Sequence, residues 1–219
     1  MSNCQIKIVD NIKNIVFDFG GVIVDVSRTQ AVKRFEEIGV DRADELLGVY
    51  KQDGIFLALE EGTLSRENFY AELRKPAGKN HITDEQIDYG WFGFILPIVQ
   101  GRIDFLLELR KKYKLYLLSN TNPIIMGWAR SSRFSPAGKP LDDYFDKLYL
   151  SYQLGVIKPD KRIFEKMIED SGMNPAETLF VDDGQANIEA AAKLGFKTCR
   201  PKEGEDYRIF FNDKEATYW

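Results

Sequence analysis

Five short apolar runs, none longer than five residues, each give way to polar or glycine-rich residues, and helical patterns occupy most of the chain between them. The runs are Asn14–Phe17, Lys114–Leu118, Lys147–Leu150, Thr178–Val181 and, as a weaker candidate, Phe196–Cys199. Runs of this kind read as parallel strands buried on both faces. Between them, Arg102 to Lys112 carries Ile103, Leu106, Leu107 and Leu109 at helical spacing. Asp160 to Asp170 follows Pro159 and sets Ile163, Phe164, Met167 and Ile168 on one face, while Ala186 to Leu194 stops at Gly195. Alternating strand and helix predicts an α/β fold, a Rossmann-like parallel sheet with helices on both faces.

One stretch breaks the alternation. From Ser27 to Leu96 the pattern is consecutive helices without a convincing strand. Ser65 is placed to cap a helix running through Glu67 to Leu73, and Thr83-Asp84-Glu85-Gln86 fits a capping box. The expected division is therefore a core of residues 1–26 and 97–219 with an inserted helical cap over 27–96.

Composition narrows the function. The formal charge is −4 with both signs scattered, so no basic footprint for nucleic acid is present. The densest basic run, Arg110-Lys111-Lys112, reads as the end of a helix, where cations complement the dipole. Two cysteines, Cys4 and Cys199, form no framework, and no apolar run approaches the length of a membrane span. The expected setting is cytoplasmic, with a small-molecule partner rather than nucleic acid or a membrane. His81 is the single histidine and reads as a surface residue ahead of a helix.

Four polar segments sit where strands end. They are Asp18-Phe19-Gly20-Gly21-Val22, Leu118-Ser119-Asn120-Thr121-Asn122, Gly155-Val156-Ile157-Lys158-Pro159, and Val181-Asp182-Asp183-Gly184-Gln185-Ala186-Asn187. Open α/β sheets bind ligands beyond the carboxyl ends of their strands, so Asp18, Asp182, Asp183 and Lys158 should converge. Each segment has a bland reading. An Asp before glycines makes a turn, Lys-Pro opens a helix, and Asp-Asp caps one. Four such coincidences in order are much harder to accept than one.

In that order the segments resemble the four motifs of the haloacid dehalogenase superfamily, over nearly the whole chain. The insert resembles the helical C1 cap of its subfamily I. Leu118–Asn122 and Tyr149–Pro159 look like the branch containing bacterial α-D-glucose-1-phosphatase. The resemblance implies a phosphatase. Asp18 attacks phosphorus as nucleophile, and Mg²⁺ is held by Asp18, Asp183 and the Gly20 backbone carbonyl. It further implies that Lys158 pairs with Asp18 and the phosphoryl group, and that Ser119 and the Asn120 backbone N–H bind phosphate oxygens. Asp182 supports the metal from behind or through water, and Asn187 holds the fourth loop.

Position 20 departs from the usual phosphatase pattern, which carries a second Asp there as general acid and base. Gly20 has no side chain, and acid–base help is worth about 10²–10⁴ in rate. A sugar 1-phosphate, whose anomeric hydroxyl is a relatively good leaving group, suits this loss. Asp25 is a candidate substitute acid, though its type and place also suit a structural role. Two other outcomes stay open: a metal-independent 2-haloacid dehalogenase, against which the Asp182-Asp183 pair argues, and a catalytically impaired binding protein of the same fold. In the cap, Trp91, Phe92 and Phe94 read first as packing and second as a sugar platform. Ser131 to Pro140 reads as an irregular loop, either at the mouth of the site or solvated.

Overall fold

The structure is a computed structural model that describes residues 11–48, 54–75, 82–202 and 204–211. His81 and Cys4 lie outside the described residues. Five strands, β1 (Asn14–Phe17), β2 (Lys114–Ser119), β3 (Lys147–Leu150), β4 (Thr178–Val181) and β5 (Lys197–Cys199), form one all-parallel sheet in the order β3-β2-β1-β4-β5. β1 is central, with Phe17 opposite Leu117 on one side and Val181 on the other.

Side-chain alternation divides the strands between two cores. Ile15, Phe17, Leu115, Leu117, Leu179 and Val181 face one core, and Val16, Tyr116, Leu118 and Phe180 face the other. Both faces are apolar because both are covered, as the continuous apolar runs imply. The chain leaves β1 into the helical cap: α1 (Arg28–Glu37), α2 (Ala43–Leu46), α3 (Gly54–Glu60), α4 (Arg66–Arg74) and α5 (Asp84–Trp91). It returns through α6 (Gln100–Leu109), then α7 (Pro123–Ala129), α8 (Ser151–Leu154), α9 (Lys161–Ser171) and α10 (Gln185–Lys193). Ser65 caps α4, and Thr83 and Gln86 form a reciprocal capping box on α5.

Helix boundaries differ from the sequence reading in identifiable ways. α6 begins two residues before Arg102 and ends at Leu109, so Arg110 is its cap and Lys111 and Lys112 lie beyond the last turn. α9 starts at Lys161 because the Asp160 side chain accepts from the Arg162 N–H and is spent as the cap. β2 reaches Ser119, which brings that hydroxyl to the strand end.

The cap shares one continuous core with one face of the sheet. Phe35, Phe56, Phe69 and Trp91 are fully buried and pack edge to face or tilted, with centroids 5.1–5.9 Å apart for Phe56–Phe69, Phe35–Phe56, Phe56–Trp91 and Phe35–Trp91. The two crossings between cap and core pair with each other. Val26 and Ile95 form an antiparallel bridge, the Ser27 N–H donates to the Phe94 carbonyl, and the Leu96 N–H donates to the Asp25 carbonyl. No helix among the described residues is long and apolar enough to cross a membrane.

Candidate active site

The site is assembled by the ends of β1, β2 and β4. The Asp18 N–H donates to the Val181 carbonyl at 2.8 Å, carrying the β1–β4 pairing one residue past the strand. The chain then folds tightly, with the Ile23 and Val24 N–H groups both reaching the Phe19 carbonyl and the Gly21 N–H reaching the Val24 carbonyl. Gly21 is left-handed at φ +77°, and a Cβ there would stand 2.3 Å from Asp183 Oδ2. Only glycine lets the first loop and the Asp183 carboxylate approach so closely. Gly20 is different: its φ is not left-handed, and a Cβ would meet only Val26 Cγ1 at 3.2 Å. The backbone therefore does not demand glycine at position 20.

Lys158 is the electrostatic centre. Its side chain is 1% exposed, and its Nζ lies 2.8 Å from Asp18 Oδ1 and 2.6 Å from Asp182 Oδ2. Burial alone lowers an ammonium pKa, but Asp18 and Asp182 outweigh it and hold Lys158 above its ordinary value. Its backbone is fixed by Asn120, whose side chain donates to the Lys158 carbonyl at 2.9 Å and accepts from the Lys158 N–H at 2.7 Å. Asn120 thus locks the second loop to the third through its side chain. Asn122 caps α7 by accepting from the Ile124 and Ile125 N–H groups, which holds the rest of the second loop.

Asp182 is fully buried and saturated: besides Lys158 it accepts from the Gly184 N–H at 2.8 Å and from Asn187 Nδ2 at 2.9 Å. Asp18, Asp182 and Asp183 each bring a carboxylate oxygen within 4.8 Å of the others. Three carboxylates against one ammonium leave excess negative charge. Burial pushes Asp18 up to about 7 against the pull of Lys158, with Asp182 and Asp183 adding to the rise. Burial and then the Asp182 charge raise Asp183 as well. A divalent cation among these oxygens removes that penalty. Hard carboxylate oxygens on a partly open face are the donor set Mg²⁺ takes, with water and phosphate completing the shell. The residues fit the ion.

A family model for haloacid dehalogenase-like hydrolases matches residues 12–195. The chain belongs to that family. This haloacid dehalogenase-like hydrolase is 53% identical over 197 residues to a D-ribitol-5-phosphate phosphatase of Bacteroides thetaiotaomicron, a match spanning 90% of this chain and 95% of the relative. It superposes with a TM-score of 0.87 on a HAD-like family hydrolase from Porphyromonas gingivalis, at 45% identity over 92% of this chain and 96% of the other. A HAD family enzyme from Bacteroides thetaiotaomicron, solved with magnesium and inorganic phosphate, superposes at 0.84 with 40% identity, over 92% of this chain and all of that one.

Three readings that the sequence left open are decided by the structure. Asp25 is no free acid: its Oδ1 sits 2.6 Å from Nη1 of the buried Arg102, which also reaches Asp206 at 3.4 Å. Trp91 packs as the first reading expects, yet it also borders the site cavity. The loop from Ser131 to Pro140 is pinned by Phe134, which is buried and stacks 6.3 Å from Phe19, and by Ser135, which bonds Lys139 in both directions. Glu60 escaped sequence reasoning altogether. It ends α3 and lines the same cavity of about 100 Å³ as Gly20, Ser119 and Asn120. An acidic residue at a helix end carries no local signal that would have marked it.

Proposed function

We propose that the hydrolase is a Mg²⁺-dependent phosphatase that cleaves a small polyhydroxy phosphate monoester through an aspartyl-phosphate on Asp18. The observation that carries this reading is the buried Lys158 bridging Asp18 and Asp182, with Asp183 inside the same 4.8 Å cluster. When bound, Mg²⁺ offsets the repulsion between carboxylate and phosphate. Asp18 supplies the attacking oxygen, and Lys158 holds that carboxylate in place and faces the charge developing on phosphorus. Ser119 and the Asn120 backbone N–H bind phosphate oxygens at the end of β2. Asp18, Asp183 and the Gly20 carbonyl ligate the metal, while Asp182 and Asn187 keep Lys158 and the fourth loop in register. Residues 1–26 and 97–219 form the catalytic core, and 27–96 form the cap that chooses the substrate.

The cavity supports a small leaving group. A single water needs about 10–15 Å³ of such space, so about 100 Å³ accommodates roughly seven to ten non-hydrogen atoms. That suits a polyol of up to about five carbons and is too little for a nucleoside. Gly20 alone points to a sugar 1-phosphate. Likeness to the D-ribitol-5-phosphate phosphatase favours instead the phosphate of a primary alcohol, and we adopt an alditol phosphate as the preferred substrate. The test is hydrolysis of p-nitrophenyl phosphate and of a panel of alditol, sugar 1- and sugar 6-phosphates. Turnover should need Mg²⁺, vanish with EDTA and be absent in Asp18→Asn. Metal-independent turnover, or activity retained by Asp18→Asn, would refute the reading.

A further inference from the structure

Four large apolar side chains among the described residues stand exposed: Val26, Tyr89, Val99 and Ile209. Of these, Val26 alone lines the site cavity, beside Gly20, Phe94 and Ile95. It is 44% exposed although both of its neighbours are tied down. The Asp25 carbonyl accepts from the Leu96 N–H at 3.0 Å, and the Ser27 N–H donates to the Phe94 carbonyl at 2.8 Å, either side of the Val26–Ile95 bridge. The Asp25 side chain is held in turn by Arg102, which is 8% exposed. Val26 is therefore a fixed part of the wall. An apolar group left open on such a wall is where the carbon surface of a ligand packs.

The direction of its side chain is set by Gly20. A Cβ built on Gly20 would stand 3.2 Å from Val26 Cγ1. Carbons in ordinary contact sit about 3.5–4.0 Å apart, so not even one bonded carbon fits comfortably between the two residues, and an unbonded one cannot enter. The methyl closes the space over Gly20. Phe94 and Ile95 beside it carry no polar side-chain atom, so this wall offers no side-chain partner to a hydroxyl substituent.

An in-line attack by Asp18 drives the leaving oxygen to the side of phosphorus away from Asp18. The cavity lies there, between Phe19 and Gly20 of the first loop and Trp91 and Phe94 of the cap. The carbon that bears the ester oxygen then meets the Val26 methyl. A primary carbon carries one substituent, which can run away from Val26 into the cavity. A secondary carbon carries two, and one of them is forced against the closed space. An aryl ester, flat at that carbon, lies outside this exclusion.

Resting on the phosphatase reading above, we propose that Val26 is a specificity-determining residue, whose methyl over Gly20 admits phosphate esters of primary alcohols and excludes those of secondary alcohols. It separates an alditol phosphate, esterified at a CH₂ group, from a sugar 1-phosphate, whose anomeric carbon carries both a ring oxygen and a carbon.

The experiment compares sn-glycerol 3-phosphate with glycerol 2-phosphate in the presence of Mg²⁺. The two have the same atoms and charge and differ in which carbon bears the ester. Wild type should favour the primary isomer in kcat/KM by about tenfold or more, the range for one excluded carbon at an apolar wall. Val26→Ala should lower that preference by about tenfold, chiefly by raising kcat/KM on glycerol 2-phosphate. Val26→Ile, which keeps the branched side chain, should retain it. Val99→Ala removes a comparably exposed valine away from the cavity and should leave the preference unchanged. D-ribitol 5-phosphate against α-D-ribose 1-phosphate repeats the comparison on a larger frame, and melting temperatures check the fold of each variant. No preference in wild type, or the same preference in wild type and Val26→Ala, would overturn the role of Val26. A wild-type enzyme with no Mg²⁺-dependent turnover of p-nitrophenyl phosphate or of any alkyl ester would instead sink the phosphatase reading itself.

Discussion

Gly21→Ala separates backbone strain from metal binding at one position. Gly21 is left-handed, a conformation that costs an L-residue about 1–2 kcal/mol. At about 2–4 °C per kcal/mol for a protein of this size, the metal-free variant should melt about 2–8 °C below wild type. The added methyl would also stand 2.3 Å from Asp183 Oδ2 and 2.7 Å from its Cγ. Reaching ordinary contact moves that carboxylate by roughly 1 Å, well beyond the ~0.2 Å tolerance of a ligand distance. Disturbing even an outer partner of a metal ligand typically costs 10–100-fold in affinity, so displacing the ligand should cost at least about that much. The assay is a Mg²⁺ titration followed by calorimetry and by the melting temperature. Gly138→Ala is the control: Gly138 is left-handed at φ +71° with nothing within 4 Å of its Cβ. It should show a similar melting loss and unchanged Mg²⁺ affinity. Wild-type Mg²⁺ affinity in Gly21→Ala would refute the claim that Asp183 is a ligand held by this close approach.

Two further outcomes follow from the ion-pair geometry. Asp25→Asn should cost about 1–3 kcal/mol in a denaturant melt by leaving Arg102 short of a partner, yet keep kcat within about threefold; a loss of about 10² or more would return Asp25 to the chemistry. Asp206 tests acid stability: burial alone would raise its pKa, but hydrogen bonds from the Arg208 side chain and backbone, with Arg102 nearby, hold it below the ordinary value. A depressed carboxyl contributes stability that is present above its unfolded-state value of about 3.9 and is lost as pH falls through the folded value. Melting temperatures measured from neutral pH downward should therefore drop more steeply below about pH 4 in wild type than in Asp206→Asn, and parallel curves would exclude the effect.

The centre of the sheet was legible because β1 and β4 are buried on both faces and must be apolar throughout, and both fall where their runs begin and end; the edge strands β3 and β5 start exposed and carry a weaker signal. Asp18 and Asp183 were legible for a related reason: they follow strand ends, which a parallel sheet brings to one edge. Lys158 departs from the strand-end reading, because α8 intervenes after β3; it lies in the loop between α8 and α9, where Asn120 at the end of β2 holds its backbone. Asp25 was not, because its role is decided by Arg102, 77 residues away in α6. Nothing near Asp25 in the sequence distinguishes a carboxylate held by guanidinium from one free to donate a proton. Trp91 was half legible: its apolar neighbours announce packing, whereas its place on the cavity wall emerges only once the cavity exists.

Glu60 marks the boundary of what strand-end logic can reach. Core residues of the site are each fixed by several local bonds: Lys158 by two carboxylates and Asn120, Asp182 by Lys158, Gly184 and Asn187. Glu60 lines the cavity where Ser151, on the far side of β2, joins the end of α3 to Thr121. That contact joins cap to core beside the cavity, where closure excludes water. Removing the joint by Ser151→Ala leaves the Thr121 N–H and the Glu60 carbonyl without that partner and should cost about 1–3 kcal/mol in a denaturant melt; an unchanged melt would show that this contact does not hold cap to core.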